Sequence, residues 1–500
     1  MNKSLPTQLF TALQVKRGEQ RAAQLAGVPM YTLMQRAGKS VYQLLKRQYP
    51  NVKHLLILIG GGNNGGDGLI VAKLAHTDGL QVTAALYGDE SKLKGDALTA
   101  KNEWLDCGGK LVELESLDLE EVRADVIIDG LLGTGLQGEV RLPLQKVIER
   151  VNLLNLPTVA IDTPSGLCSD TGVILGQAIC ASHTITFIGV KQGLVTGSAR
   201  NVTGQVHFAG LGVEDEFLQC EQAASYFLDL EEMRDRLPRR MATAHKGDHG
   251  RILCLGGNHG YAGAIWLCAS AAARSGAGLI RALCHDDSSI PLQVSCPEVM
   301  TQAWDRQLDT LQKALTQTDV IAIGPGLGMD EWAQALYKEC RSVDKPKVVD
   351  ADGLNLLATK PNKDSLRIIT PHPGEAARLL DCSVQQVEQN RFAAVRALQS
   401  QYGGVIVLKG AGTLIYHGTD IYVCPAGNPG MATGGMGDVL TGIIGALLAQ
   451  GVQQADAAKL GVLLHSTAAD ELANRDGQIG LLASDVVQQS RIVLNRWISG

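Results

Sequence analysis

Two acidic residues sit where glycine-rich backbone meets the start of an apolar, helix-like run. In "GNPGMATGGMGDVLTGIIGALLA", Gly427, Gly430, Gly434, Gly435 and Gly437 lead to Asp438. Backbone N–H groups at the amino end of a helix form an anion hole suited to a phosphoryl group. An Asp beside that hole is placed to deprotonate a hydroxyl being phosphorylated. The plain alternative makes Asp438 a helix cap, yet a cap needs no such density of glycine. In "LLILIGGGNNGGDGLI", Gly60, Gly62 and Gly65 satisfy G-x-G-x-x-G, the pattern of dinucleotide-binding loops. A carboxylate at Asp67 would repel a pyrophosphate there. Either Asp67 caps the following helix, or Asn63, Asn64 and Asp67 offer oxygens to a cation or a neutral polar group.

Two later strand ends favour the second reading. "IIDGLLGTGLQGE" puts Asp129 at the carboxyl end of an apolar run, followed by another glycine loop. "AIDTPSGL" puts Asp162 and Ser165 at the end of the next. A single Asp at a strand end is usually a turn or cap residue. Three consecutive polar clusters on one sheet edge are a site, because open parallel sheets bind ligands outside the carboxyl ends of their strands.

The elements that must carry these residues are legible as βαβ alternation. "HLLILIG", "QVTAALY", "ADVIIDGLLG", "PTVAIDTPSG", "SHTITFIG" and "GQVHFAG" read as strands, separated by segments with helical spacing of apolar residues. Two helices are predicted ahead of the first strand. Residues 213 to 245 are charged, show no buried strand, and place a domain boundary near 220. Alternation then restarts with "GRILCLGG", "TDVIAIGPGLG", "PKVVDADG", "LRIITPHPGE" and "GVIVLKGAG", and the chain ends in two long helical patterns. The expected fold class is α/β, with two three-layer α/β/α domains, 1–220 and 221–500, and no internal repeat between them.

Composition narrows the function classes. At 500 residues the chain exceeds one ordinary core. A net charge of −6 and only 4% aromatic residues argue against nucleic acid or an anionic membrane as partner. The 11 cysteines are scattered without a C-x-x-C, which fits a reducing cytoplasm rather than a disulfide framework. The amino terminus lacks the apolar block of a secretory signal, and no apolar run reaches the roughly 18 residues of a membrane helix. A soluble, cytoplasmic enzyme is expected.

Taken together, "GGGNNGGDGL", "IDGLLGTGLQGE" and "IDTPSG" resemble the motifs of the YjeF amino-terminal family, a Rossmann-like fold whose enzymatic members are NAD(P)H-hydrate epimerases. The resemblance implies a potassium ion on Asn64, Asp129 and Ser165. It implies substrate along Asn63, Asn64, Gly65, Gly66 and Asp67, along Gly133, Thr134, Gly135, Leu136, Gln137, Gly138 and Glu139, and at Asp162. Asp129 enters as a candidate catalytic acid–base as well. The dinucleotide would be a damaged substrate, not a hydride-carrying cofactor.

The second half is similar to the ribokinase-like superfamily, in which the Asp matching Asp438 is the catalytic base. "HKGDHGRILCLGGNHGYAGA", "IGPGLG", "TPHPGEAARLL" and "VLKGAGTLI" resemble the NAD(P)H-hydrate dehydratases within it. That resemblance implies hydrate contacts at Ala264, Gly326, His372 and Asp438. Nucleotide contacts are implied at Lys409, Gly410, Ala411, Gly412, Thr413 and Gly437. Glu375 reads as a helix cap in preference to a magnesium-positioning group. The implied cofactors are potassium in the first domain and magnesium in the second, with ADP as co-substrate, as in the fused bacterial form. The expected partners are hydrated NADH and NADPH and ADP, with a homo-oligomer as the expected assembly. Two rivals remain at this stage: a pyrimidine- or thiazole-type kinase with a non-catalytic binding domain, and an RNA-binding scaffold built on the first domain.

Overall fold

The computed structural model describes residues 5–499. They form two compact units that divide between Tyr226 and Phe227, a little beyond the position 220 at which the sequence pattern changes. Ser225 and Tyr226 pair antiparallel with Leu9 and Gln8, so the charged stretch does contain a short strand, contrary to expectation. Three residues are too few for a period of two to show in sequence.

The first unit is built on seven parallel strands in the order Leu111–Glu113, Gln81–Leu86, His54–Ile59, Val126–Gly130, Thr158–Ile161, His183–Phe187, Gln205–Ala209. Leu55, Ile57 and Ile59 face a core shared with helices Met30–Gln48 and Asn63–Thr77. Their neighbours Leu56 and Leu58 face a second core, shared with helix Leu142–Leu153. Strand alternation thus feeds both faces and makes three layers. Each fully buried Leu or Ile contributes about 1.5–3 kcal/mol, which makes the apolar strand His54–Ile59 the centre of the unit. Its two neighbours lead away in opposite directions, so the crevice above His54–Ile59 and Val126–Gly130 is the topological switch point.

Outside that alternation, strand Gln8–Phe10 pairs parallel with the two-residue strand Val190–Lys191, matching Phe10 with Lys191. Helix Ala12–Ala26 follows at once. Thr11 caps it, with Gln14 closing the capping box, and left-handed Gly27 ends it. Gly18 lets the helix close on Phe217, where a Cβ would lie 2.5 Å from the ring. Arg17 then grips the buried Glu221 carboxylate through Nε at 2.7 Å and a terminal nitrogen at 2.5 Å.

The second unit has nine strands in the order Met300–Ala303, Leu279–Cys284, Arg251–Leu255, Val320–Ile323, Lys347–Val349, Arg367–Ile369, Val405–Leu408, Leu414–Tyr416, Ile421–Val423. The first seven are parallel, and the last two are added antiparallel as a hairpin. Helix Met436–Ala449 is apolar almost all round and buried, as that composition requires. With Ala262–Arg274, Gln454–Asp476 and Ala483–Ser499 it covers one face. Tyr337 and Cys340 of helix Glu331–Cys340 meet Ile321, Ile323 and Val349 on the other. The terminal helix Ala483–Ser499 is a third where two were expected. Its buried stripe is interrupted by Gln489 and Ser490, which dilutes the helical signal. Among the described residues no helix is long and apolar enough to cross a membrane.

Candidate functional site

At the switch point of the first unit a cavity of about 740 Å³ opens over the strand ends. Asn63, Asn64, Asp67, Gly133, Thr134, Gly135, Leu136, Gln137, Glu139 and Asp162 line it, whereas Gly65, Gly66 and Gly138 do not. Gly65 and Gly66 have a packing role, while Gly138 takes a left-handed turn with φ of 73°. A Cβ on Gly65 would lie 2.0 Å from the Gly60 carbonyl oxygen, and one on Gly60 would lie 1.8 Å from that of Leu131. A Cβ on Gly66 would strike Met34. The glycine fingerprint therefore stacks three stretches of main chain into the cavity floor, with Gly62 as the helix N-cap. Asp67 lies in the second turn of helix Asn63–Thr77, so it is not the cap the sequence allowed. It is buried, and burial, reinforced by the charges of Asp162 and Glu19, pushes its pKa well above the ordinary carboxylate range.

Asn64, Asp129 and Ser165 converge on one main-chain segment. Asn64 Nδ2 donates to the Leu132 carbonyl at 2.8 Å, and the Leu132 N–H donates to Ser165 Oγ at 2.8 Å. Ser165 Oγ–H donates to Asp129 Oδ1 at 2.6 Å, and the Ser165 N–H donates to Asp129 Oδ2 at 2.8 Å. Asp129 is fully buried, and it forms no ion pair with a lysine or arginine among the described residues. Burial raises its pKa to about 6 despite those bonds. A buried carboxylate with no cationic partner fits a bound cation that would offset the desolvation. Asp129, a candidate catalytic acid–base by sequence, does not line the cavity and is buried beneath Leu131 and Ser165.

The far wall joins Asp162 to two residues that sequence reasoning missed, Lys191 and Glu19. Asp162 follows strand Thr158–Ile161 in the left-handed region, with φ of 61°. Its Oδ1 accepts bonds from Thr186 Oγ1 and the Phe187 N–H and is clasped by Lys191 Nζ. Lys191 is buried and also donates to Thr186 Oγ1 and the Phe187 carbonyl, each at 3.1 Å. Glu19, carried by the amino-terminal helix, lines the same cavity.

In the second unit the carboxyl ends of the strands carry the other candidates. Gly326 and Ala264 are in contact: a Cβ on Gly326 would lie 3.0 Å from that of Ala264. The neighbouring loop is fixed by the Asn258 N–H donating to the Gly326 carbonyl at 2.7 Å. Helix Met436–Ala449 starts at left-handed Gly435, which is its N-cap, so Asp438 is a first-turn residue and not the cap. Asp438 is half-buried; burial, then the nearby Asp350 carboxylate, lifts its pKa to about 7.

Asp350, absent from the sequence-derived list, is the hub. Lys409 Nζ donates to Asp350 Oδ1 at 2.7 Å, and Thr441 Oγ1 donates to Oδ2 at 3.0 Å. Burial opposes the Asp350 charge, but the Lys409 ammonium outweighs it and holds the pKa below the ordinary value. Gly437 fits only because it lacks a side chain: a Cβ would sit 3.0 Å from Asp350 Oδ2 and 3.2 Å from Lys409 Nζ. Ala351 beside it has φ 47° and ψ −123°, a strained backbone of the kind that gathers at functional sites.

His372 and Glu375 close a capping box on helix Pro373–Leu380, with the His372 N–H donating to Glu375 Oε2 at 2.8 Å. The cap reading of Glu375 therefore stands, yet Lys409 Nζ lies 3.7 Å from the same carboxylate, so the cap also faces the site. Gly410 and its neighbours form the turn after strand Val405–Leu408, held from beneath by buried Arg391, whose guanidinium donates to the Leu408 and Lys409 carbonyls. Thr413 Oγ1 donates to the Gly410 carbonyl and stiffens the turn Lys409, Gly410, Ala411, Gly412, Thr413. Asp350, Asp352, Glu375 and Asp438 give several hard oxygens around one ammonium, a set that fits magnesium.

Comparison with known proteins agrees with this geometry. Residues 30–193 match the family model for the YjeF-related protein N-terminus, and residues 252–491 match that for NAD(P)H-hydrate dehydratase. The chain is 51% identical to the bifunctional NAD(P)H-hydrate repair enzyme Nnr of Vibrio cholerae, over 98% of this chain and 99% of that one. It is 45% identical to the enzyme of the same name from Escherichia coli, over 98% and 95%. The ADP/ATP-dependent NAD(P)H-hydrate dehydratase from Bacillus subtilis, co-crystallised with ATP and magnesium, superposes with a TM-score of 0.50 at 31% identity, covering 54% of this chain and 98% of that one. A ribokinase-like protein from Enterococcus faecalis gives 0.51 at 31%, covering 55% and 96%. Full-length relatives of this kind set aside both the small-molecule kinase and the scaffold. An epimerase-type cavity and a phosphoryl-transfer cluster on one chain, matched end to end, place the protein in the family of bifunctional NAD(P)H-hydrate repair enzymes.

Proposed function

We propose that residues 1–220 interconvert the R and S epimers of hydrated NADH and NADPH at nicotinamide C6, and that residues 221–500 dehydrate the S form while ADP becomes AMP and phosphate. The observation that carries the reading is the Asp438–Gly437–Lys409–Asp350 cluster at a helix amino end, in a chain that also holds a cavity of dinucleotide size.

A ring hydroxyl is a poor leaving group, whereas its phosphate ester departs when the ring nitrogen pushes electrons towards C6. Asp438 takes the C6 hydroxyl proton as the phosphoryl group transfers. The N–H groups of the Gly434–Gly437 turn receive the phosphoryl oxygens. Lys409 and Gly410 to Thr413 hold the nucleotide, while Ala264, Gly326 and His372 hold the hydrate. Magnesium, when bound among the acidic groups, neutralises phosphate charge. In the first unit Asn63, Asn64, Asp67, the Gly133–Glu139 loop and Asp162 hold the substrate. Potassium is placed on Asn64, Asp129 and Ser165, supported by the unpaired buried charge of Asp129. Cytoplasmic residence is supported by free cysteines throughout the described chain. A homo-oligomeric assembly completes the reading.

The test is one assay on an R/S mixture of hydrated NADPH with ADP and magnesium, following the return of reduced-nicotinamide absorbance with and without potassium. Complete recovery, with AMP and free phosphate released, is expected in potassium, with the R portion slowed when it is omitted. Recovery that stops near half would sink the epimerase half. A stable phosphorylated product would sink the dehydratase half.

A further inference from the structure

Epimerisation at C6 needs a group that moves a proton, and the polar groups of the first cavity are not equivalent candidates. Asp129 is sealed beneath Leu131 and Ser165. Asp162 Oδ1 is occupied by Lys191, Thr186 and the Phe187 N–H, which makes it a fixed anion. Lys191 spends its protons on Asp162, Thr186 and Phe187. Asp67 is buried within a helix, and burial pushes its pKa well above the ordinary carboxylate range. Glu19 differs from all of these. It lines the cavity, accepts no hydrogen bond from any described residue, and is carried by a helix clamped at Thr11, Gly18 and Arg17.

On the reading that this unit is the epimerase, we infer that Glu19 is its catalytic acid–base, with the Lys191–Asp162 pair as the fixed charge that positions substrate opposite it. The protonated Glu19 carboxyl gives its proton to the C6 hydroxyl as the C6–O bond breaks. The oxygen leaves as water with the bonding pair, and the ring nitrogen lone pair forms the C=N bond. Water then adds to the opposite face of C6, its electron pair forming the new C–O bond while the nitrogen recovers its own. Glu19 takes the proton that this water releases. No redox partner is needed, and Glu19 ends as it began.

The charged groups that face Glu19 are Lys191 and Lys16, which favour its anion, and Asp162 and Asp67, which oppose it. Burial is the larger influence and lifts its pKa to about 7, where both forms of a reversible acid–base are populated. The position escapes motif reading because an isolated Glu on an amphipathic helix reads as solvent-face charge.

The chain carries its own control, because the dehydratase unit does not use Glu19. The full-length protein with potassium is given purified R epimer, and R-to-S exchange is followed by chromatography. Dehydration of S epimer with ADP and magnesium is measured on the same preparation. Glu19→Gln is expected to lower kcat for exchange about 10²–10⁴-fold, leave the KM for the hydrate within about threefold, and leave dehydration of S unchanged. Glu19→Asp, which keeps the carboxyl group, is expected to recover part of the rate. Exchange by Glu19→Gln within about threefold of the parent, or a loss confined to KM, overturns the inference. A parent protein that dehydrates S but exchanges nothing overturns the epimerase reading itself, and Glu19 falls with it.

Discussion

Both units place a carboxylate in the opening turns of a glycine-rich helix, above the carboxyl ends of parallel strands, yet the two carboxylates are in different electrostatic states. Asp438 lies within the influence of the Lys409 ammonium and stands at about 7. Asp67 faces Lys191 only as a lysine already committed to Asp162, and burial with two like charges pushes its pKa well above the ordinary range. The same local sequence solution, glycines followed by Asp, therefore sets a carboxylate near the Lys409 ammonium in one unit and disfavours the anion in the other. What decides is the nearest lysine.

That contrast is open to direct attack. The largest effect is expected from Asp438→Asn, which removes the base and should cut dehydration about 10²–10⁴-fold while R-to-S exchange continues. Asp67→Asn keeps the size of a side chain whose anion burial disfavours, and should change exchange only about threefold or less. A hundredfold loss there would show that Asp67 works as an anion and that the contrast is wrong.

Lys409→Met should come next. It strips the cationic partner from Asp350, whose side chain is 1% exposed, and loss of one partner from a buried pair costs about 3–5 kcal/mol. Calorimetry on the full chain should show the transition of the second unit falling while that of the first stays put. A shift in both transitions would mean that the two units do not melt independently.

A milder effect than either loss is expected in pH. Dehydration needs the Asp438 anion, so kcat/KM for the S epimer should rise roughly tenfold between pH 6 and 8 and then level off. Stability runs the other way. The folded pKa of Asp438 lies above that of an ordinary aspartate, so folding holds the proton more tightly, and its contribution falls as pH rises from about 4 through about 7. A flat profile in Asp438→Asn checks both signs at once.

The βαβ alternation, the helix at Met436, and the strand-end residues gathered around each site were legible as apolar runs ending in Gly, Asp and Asn. Three classes were not. Glu19 and Lys191 join Asp67 and Asp162, which the motifs had marked, from separate elements, and no spacing rule links positions so far apart. Asp350 lay inside a quoted strand motif, but a lone Asp at a strand end most often makes a turn, and only its ion pair with Lys409 distinguishes it. The strand at Ser225 and the helix at Ala483 were hidden by shortness and by polar residues inside the buried stripe. Asp129 was legible as a strand-end carboxylate, but its burial was not, because sequence marks a strand end without saying whether a loop will close over it.

The stacked glycines of the first unit carry a consequence for how this enzyme can change over generations. Gly65 rests on Gly60 and Gly60 on Leu131, main chain against main chain, with no room for a single methyl group between them. A substitution at either glycine would drive a Cβ into the main chain beside it, so this part of the floor admits no side chain. Variation in what the cavity accepts therefore falls to lining side chains such as Gln137 and Glu139, while the stacked main chain is inherited as one piece.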